Sequence, residues 1–182
     1  METEAAYEAL LVDKLEKTQT TVNEWLKYSD QKLAGLTVLN VGVLWGYGRY
    51  TKQFQSISCL TEGLSFIGYF LIIISIFTCI VAMLPVLTKL WLYNENKSDS
   101  DNALFFADIQ KYRAHEYLSL ICKKLEIETT THSSYVKDLA SQIVTNAKIT
   151  TVKFQRIKFA SWFTLTGCSG LVASFLFNYF QG

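Results

Sequence analysis

Between Gly63 and Thr88 the chain carries no charged residue: GLSFIGYFLIIISIFTCIVAMLPVLT. A helix rises about 1.5 Å per residue, so this run extends about 39 Å, more than the roughly 30 Å hydrocarbon core of a bilayer. Soluble domains rarely use a helix that is apolar on every face for that length. The run constrains the chain to be an integral membrane protein.

Two further segments complete the membrane part. Leu33 to Gly48 is uncharged and bracketed by Lys32 and Arg49. It spans only about 24 Å as a helix, so snorkelling of the two cations must extend it. Trp45, Tyr47 and Tyr50 supply an aromatic belt at one end. Gly35, Gly42 and Gly46 invite close helix contact. Asn40 is costly against lipid, so it should face another helix or a pore. The third segment, Phe159 to Phe180, places Thr166, Gly170 and Ser174 at i, i+4 and i+8, a small-residue seam.

The rest is polar. Residues 1–32 read as an amphipathic helix with Tyr7, Leu11, Leu15, Val22 and Leu26 on one face. It either packs in a bundle or lies on the membrane surface. Residues 49–62 form a short outer loop. Pro85 should kink or end the second span, with Lys89, Trp91 and Tyr93 marking its far interface. Residues 89–158 form a polar module that opens on the linker NENKSDSDN. Ala114 to Leu125 reads as a helix, Glu128 to Ser134 as a Thr-rich turn, and Ser133 or Ser134 as the cap of the next helix. No Pro or Gly interrupts that last helix before Gly167, so it should run from Ser134 into the third span as a rod of about 70 Å.

The expected fold class is an all-α membrane protein: three transmembrane helices (33–48, 63–88, 159–180) with a cytosolic helical bundle formed by the N-terminal helix and the 103–158 module. Lys and Arg concentrate on the N-terminal helix and the module, which puts both in the cytoplasm by the positive-inside rule. The N-terminus lacks a basic region followed by an apolar one, so no cleaved signal peptide is expected.

Catalytic chemistry is not legible. His115 and His132 lie outside any recognisable motif, and no GxSxG, HExxH or glycine-rich phosphate loop occurs. Cys59, Cys79, Cys122 and Cys168 form no CxxC or Cys/His cluster, so neither a metal site nor a disulfide framework is expected. The net charge of +1 gives no reason to expect a nucleic-acid partner. The module does carry Lys111, Arg113, Lys148, Lys153 and Arg156 with Phe105, Phe106, Tyr112 and Tyr117. Cations and flat rings are what a nucleotide requires, although basic residues above a span also anchor to lipid headgroups.

Four segments in order resemble the Pycsar transmembrane effector family of bacterial anti-phage defence. They are Asp30-Gln31-Lys32-Leu33-Ala34-Gly35; Phe105-Phe106-x-Asp108-Ile109 with Glu116-Tyr117-Leu118; Asp138-Leu139-Ala140-x-Gln142-Ile143; and Lys153-Phe154. Phe154 stands where the family pattern has Tyr, and Leu33 separates Lys32 from the small residues. The resemblance implies a non-enzymatic effector of the bacterial inner membrane. It implies a ligand, cyclic UMP or cyclic CMP made by a partner pyrimidine nucleotide cyclase, and no cofactor. Binding in the cytosolic part would then impair the membrane, and identical subunits would amplify the change through symmetry. On that reading Lys32, Lys153 or Arg156 would contact the cyclic phosphate. Gln142 or Asn146 would read the pyrimidine edge, and Phe106 or Tyr117 would stack on it. The competing readings are a ligand-free structural or assembly subunit and a constitutive channel. The absence of charged residues within the spans argues against the channel.

Overall fold

The computed structural model describes residues 2–51, 59–84, 97–98, 100–127 and 132–181. Lys52, Pro85, Lys89, Trp91, Tyr93, residues 94–96 and most of the Thr-rich turn lie outside them. Five helices follow in order: α1 (Glu2–Thr51), α2 (Cys59–Met83), α3 (Phe106–Ile109), α4 (Ala114–Leu125) and α5 (Ser134–Gln181).

The amphipathic stretch 2–32 and the apolar stretch 33–48 are thus one helix, α1. No proline breaks it, and in an apolar surrounding the backbone around its glycines must satisfy its own hydrogen bonds, which a helix does. α5 is likewise continuous; the Ser133 hydroxyl accepts from the Val136 amide at 3.4 Å and caps it. The connection expected over 49–62 overlaps both helices, since α1 runs to Thr51 and α2 begins at Cys59.

The chain divides into two compact units. The first comprises Met1–Ser29 and Val86–Lys153, the second Asp30–Pro85 and Phe154–Gly182. In the first unit α1 and α5 run parallel. The Tyr135 hydroxyl donates to the Glu16 carboxylate at 2.9 Å, and about two turns further along α1 and three along α5 the Asn146 amide donates to the Asn23 carbonyl at 2.8 Å. Leu11, Leu15, Thr18 and Val22 of α1 are buried in the same core as Val136, Leu139, Ala140, Ile143 and Ala147 of α5. Spacings of three and four keep each stripe on one face. Tyr7 lies outside this stripe and is exposed. α4 closes the core with Tyr117, Leu118 and Ile121, and ends on Glu126 in the left-handed region at φ 56°. The Ile127 amide bonds the Cys122 carbonyl there, a Schellman closure made without glycine.

In the second unit α1 and α5 again run parallel, and α2 lies antiparallel to both. Asn40 and Tyr47 of α1 bond Thr164 and Ser174 of α5 in ascending order, and Ser75 and Ser65 of α2 in descending order.

Candidate functional site

The inner face of the second unit repeats every seven residues. α2 buries Thr61, Gly68, Ser75 and Ala82, with Ile72 and Cys79 between them. α5 buries Ala160, Gly167 and Ser174 with Thr164 and Leu171, and α1 contributes Leu33, Asn40 and half-buried Tyr47. A seven-residue period keeps a seam facing its neighbours along helices that cross at small angles. Small residues at the seam let the backbones approach. A Cβ built on Gly68 would stand 3.0 Å from the Gly167 carbonyl, and one on Gly167 would stand 3.0 Å from the Gly68 carbonyl. Neither helix can take a side chain there without moving.

Two polar layers flank this glycine contact. In one, the fully buried Asn40 amide donates to the Ser75 hydroxyl at 2.9 Å and its carbonyl accepts from the Thr164 hydroxyl at 2.9 Å. Ser75 in turn donates to the Ala160 carbonyl at 2.8 Å. In the other, the hydroxyls of Tyr47, Ser65 and Ser174 form a triangle with sides of 2.7–2.8 Å, and Ser174 also donates to the Thr61 carbonyl. The Thr61 hydroxyl is buried and makes no hydrogen bond. At the α2 C-terminus the Arg156 guanidinium donates to the Val81 carbonyl at 3.0 Å, satisfying a carbonyl that has no partner within the helix.

The outer face is the opposite. Phe66, Phe70 and Phe77 of α2, Trp162 and Leu165 of α5, and Val38 and Leu39 of α1 are all exposed. A water-soluble bundle buries such residues and exposes its amides and hydroxyls. Here Asn40 and the hydroxyls of the two polar layers are inside, where they satisfy one another, and the large apolar groups are outside. Hydrocarbon solvates the latter and gives the former no partner, so this is the stable arrangement in lipid. Among the described residues, α2 and Ser134–Phe180 of α5 are the helices long and apolar enough to cross a membrane. Leu33–Gly48, expected as a span of its own, is not among them; Asn40, Tyr47 and the glycines lower its apolarity, although it packs with the other two.

The small residues singled out from the sequence distribute unevenly. Asn40 and Ser174 sit in the two polar layers, and a Cβ built on Gly170 would stand 3.6 Å from the Leu64 carbonyl of α2, an ordinary contact. Thr166 is exposed and bonds back to the Trp162 carbonyl. Its i, i+4, i+8 alignment with Ser174 drifts about 80° around a helix of 100° per residue, so both cannot face one seam. Gly35, Gly42 and Gly46 are exposed, with nothing within 4 Å of a built Cβ. The seam glycines Gly68 and Gly167, and Ser65, Ser75 and Thr164, were not anticipated. The seven-residue spacing of Gly68 with Ser75, and of Gly167 with Ser174, inside uniformly apolar runs was the available signal; Ser65 and Thr164 lie off that repeat.

The ligand candidates fall in both units. Phe106 is buried and packs its ring on Trp25 and Phe105 at centroid distances of 5.6 and 4.8 Å. Tyr117 is fully buried, and its hydroxyl donates to the Ala103 carbonyl at 2.9 Å. Burial pushes that phenol's pKa well up. Asn146 is engaged with Asn23, whereas Gln142 is exposed on α5. Lys153 is buried in the first unit. Lys32, exposed, and Arg156 belong to the second unit.

Charge in the first unit serves to fasten its loop. Asp101 accepts from the Ser98 amide at 3.0 Å, the Lys111 ammonium at 3.0 Å and the Tyr112 hydroxyl at 2.8 Å. The Ser98 N–H, then Lys111 and Tyr112, hold its carboxyl down at about 2. Tyr112 is pushed up to about 12 by burial and then by Asp101. Lys111 is raised by Asp108 and Asp101, and Lys124 donates to the Asp101 carbonyl. Glu116 is lowered by Lys97 and by the Arg113 N–H that it caps. Every charged partner here is matched, which makes the cluster a fastening rather than a reactive centre.

Together the two units define a class: a helical membrane protein whose polar unit has a conventional apolar core and whose apolar unit is built for lipid. The family model of the Pycsar effector protein domain matches residues 14–180, which takes in both units. The chain belongs to the Pycsar effector family, and its role is that of an anti-phage defence effector. Neither a curated relative nor a solved structure matches it.

Proposed function

We propose that the chain senses a cyclic pyrimidine mononucleotide, cyclic UMP or cyclic CMP, through its polar unit and then impairs the bacterial inner membrane, arresting the infected cell. The observation that carries this reading is the family match across residues 14–180, over a chain whose apolar unit is polar inside and apolar outside. In this reading α1, α2 and α5 all cross the bilayer through the second unit, Leu33–Gly48 being drawn in by its bonds to α2 and α5. The N-terminus and the polar unit are cytoplasmic, and the working form is an assembly of identical subunits.

A ligand shifts an equilibrium only by preferring one state, and about a fivefold to 150-fold preference corresponds to roughly 1–3 kcal/mol of coupling. Arg156 suggests how a phosphate could exert that preference. A phosphate that draws the guanidinium from the Val81 carbonyl removes the bond that holds the end of α2. Gln142, exposed on α5, is the candidate for reading the base edge, and Lys153, buried in the first unit, the candidate for charge.

Thermal unfolding of detergent-purified protein with cyclic UMP, cyclic CMP, cyclic AMP and linear UMP tests the reading. Selective stabilisation by one cyclic pyrimidine nucleotide is expected, and Lys153→Glu with Arg156→Glu should abolish it at unchanged expression. No shift with any nucleotide, in folded and uniform protein, would transfer the reading to a ligand-free assembly subunit.

A further inference from the structure

We infer that the seam between α2 and α5 is a closed aqueous path, clasped at Gly68 and Gly167, and that the protein impairs the membrane by letting this seam open. The inference rests on the membrane-impairing reading above and adds the route. Its residues are Asn40, Ser75 and Thr164 on one side of the glycine contact and Tyr47, Ser65 and Ser174 on the other.

The polar groups of the second unit are concentrated on the one surface that lipid does not touch. If they served only as glue, a single layer would set the register of three helices; here a second layer follows, from Asn40 to Tyr47 on α1, from Ser75 back to Ser65 on α2 and from Thr164 to Ser174 on α5, with the tightest backbone approach between the two. Closed, each layer satisfies itself and excludes water. Parted by a few ångströms at the glycines, the same amides and hydroxyls lose partners across the gap and need water in their place. The buried Thr61 hydroxyl, already without a partner, would gain one. The two polar layers carry no ionised side chain, so the route would pass small monovalent ions and water with little selectivity.

The chain holds its own reporter. Cys79 lies one turn beyond Ser75 on the inner face of α2 and is fully buried. In full-length protein carrying Cys59→Ser, Cys122→Ala and Cys168→Ser, Cys79 is the remaining thiol. It can be challenged with a membrane-impermeant methanethiosulfonate cation in vesicles of phosphatidylethanolamine and phosphatidylglycerol, while potassium release is followed.

Two independent arms decide. Gly167→Val forces α2 from α5 without any ligand, because its Cβ would meet Ile72 at 2.7 Å and the Gly68 carbonyl at 3.0 Å. Gly170→Ala, whose nearest contact is an ordinary 3.6 Å, is the control. The inference expects Gly167→Val to release potassium and to label Cys79 about tenfold faster than the parent, as a population shift of that size would produce, with Gly170→Ala unchanged. Inserted Gly167→Val that leaves Cys79 at the parent's rate, leaking or not, overturns it. The second arm adds cyclic UMP or cyclic CMP to the parent seam and decides the matter if Gly167→Val does not insert. Release with Cys79 labelled supports the inference, and release with Cys79 protected overturns it. If neither nucleotide causes release, the sensing reading fails, and Cys79 labelling across a series of milder wedges, beginning with Gly68→Ala, decides the seam.

Discussion

The two units share α1 and α5 and follow opposite rules. In the first, α1 and α5 bury Leu11, Leu15, Ile143 and Ala147 and turn Lys17, Lys137 and Asp138 to the surface. In the second, α1 and α5 bury Asn40, Thr164 and Ser174 and turn Val38, Leu39 and Trp162 outward. The reversal shows that burial follows the solvent and not the residue type. Water drives the apolar groups of the first unit together; in lipid that force is absent, and close packing with hydrogen bonds takes its place.

The comparison implies that truncating an apolar group should cost most in the first unit, and removing a polar one should cost little in the second. Tyr117→Ala removes a fully buried ring and is expected to destabilise the polar unit by about 3–5 kcal/mol, measured by denaturant unfolding in detergent. Tyr117→Phe should recover most of that, losing roughly 1 kcal/mol with the Ala103 bond.

Asp101→Asn probes polar fastening in water. It should cost about 1.5–3 kcal/mol, because three donors lose a charged acceptor in a buried loop. The same carboxylate sets a pH dependence. Its folded pKa lies below its ordinary 3.8, so its contribution is complete above about pH 4 and is lost as pH falls toward about 2. A loss between pH 4 and 2 that persists in Asp101→Asn would assign the acid sensitivity elsewhere.

Asn40→Leu probes the polar layer in lipid. Interhelical bonds there average about 0.6 kcal/mol with a maximum near 1.7, so the loss should fall below that of Asp101→Asn. Unfolding in bicelles that gave Asn40→Leu the larger loss would break the comparison. The smallest effect belongs to Glu126→Gly. Relieving a left-handed Glu at φ 56° should raise stability by up to about 1 kcal/mol, read as a higher midpoint for the polar unit alone.

Much of the fold was legible. The start of α5 at Ser134, the span of α4 over Ala114–Leu125 and the helical state of every long segment follow from caps, periodicity and the lack of breakers. The membrane character followed from one uncharged run. The candidate site was legible only in fragments. Phe106 and Tyr117 have the chemistry of a base platform, but they fill the core, because a ring with apolar neighbours on every side is buried whatever its capacity to stack.

What the sequence determined by itself was local: which stretches are helices, where they begin, and which are too apolar for water. Within an apolar run every residue tolerates burial and every residue tolerates lipid, so hydrophobicity cannot say which face turns inward. The tertiary structure decided that. It chose Gly68 and Gly167 over Gly42 and Gly46, because α2 and α5 can meet closely only where small residues on both fall at the same height, and Thr164 over Thr166, because only Thr164 falls level with Asn40 and Ser75. The polar layers join positions up to 127 residues apart, as Tyr47 and Ser174 are, and no single segment contains such a pairing.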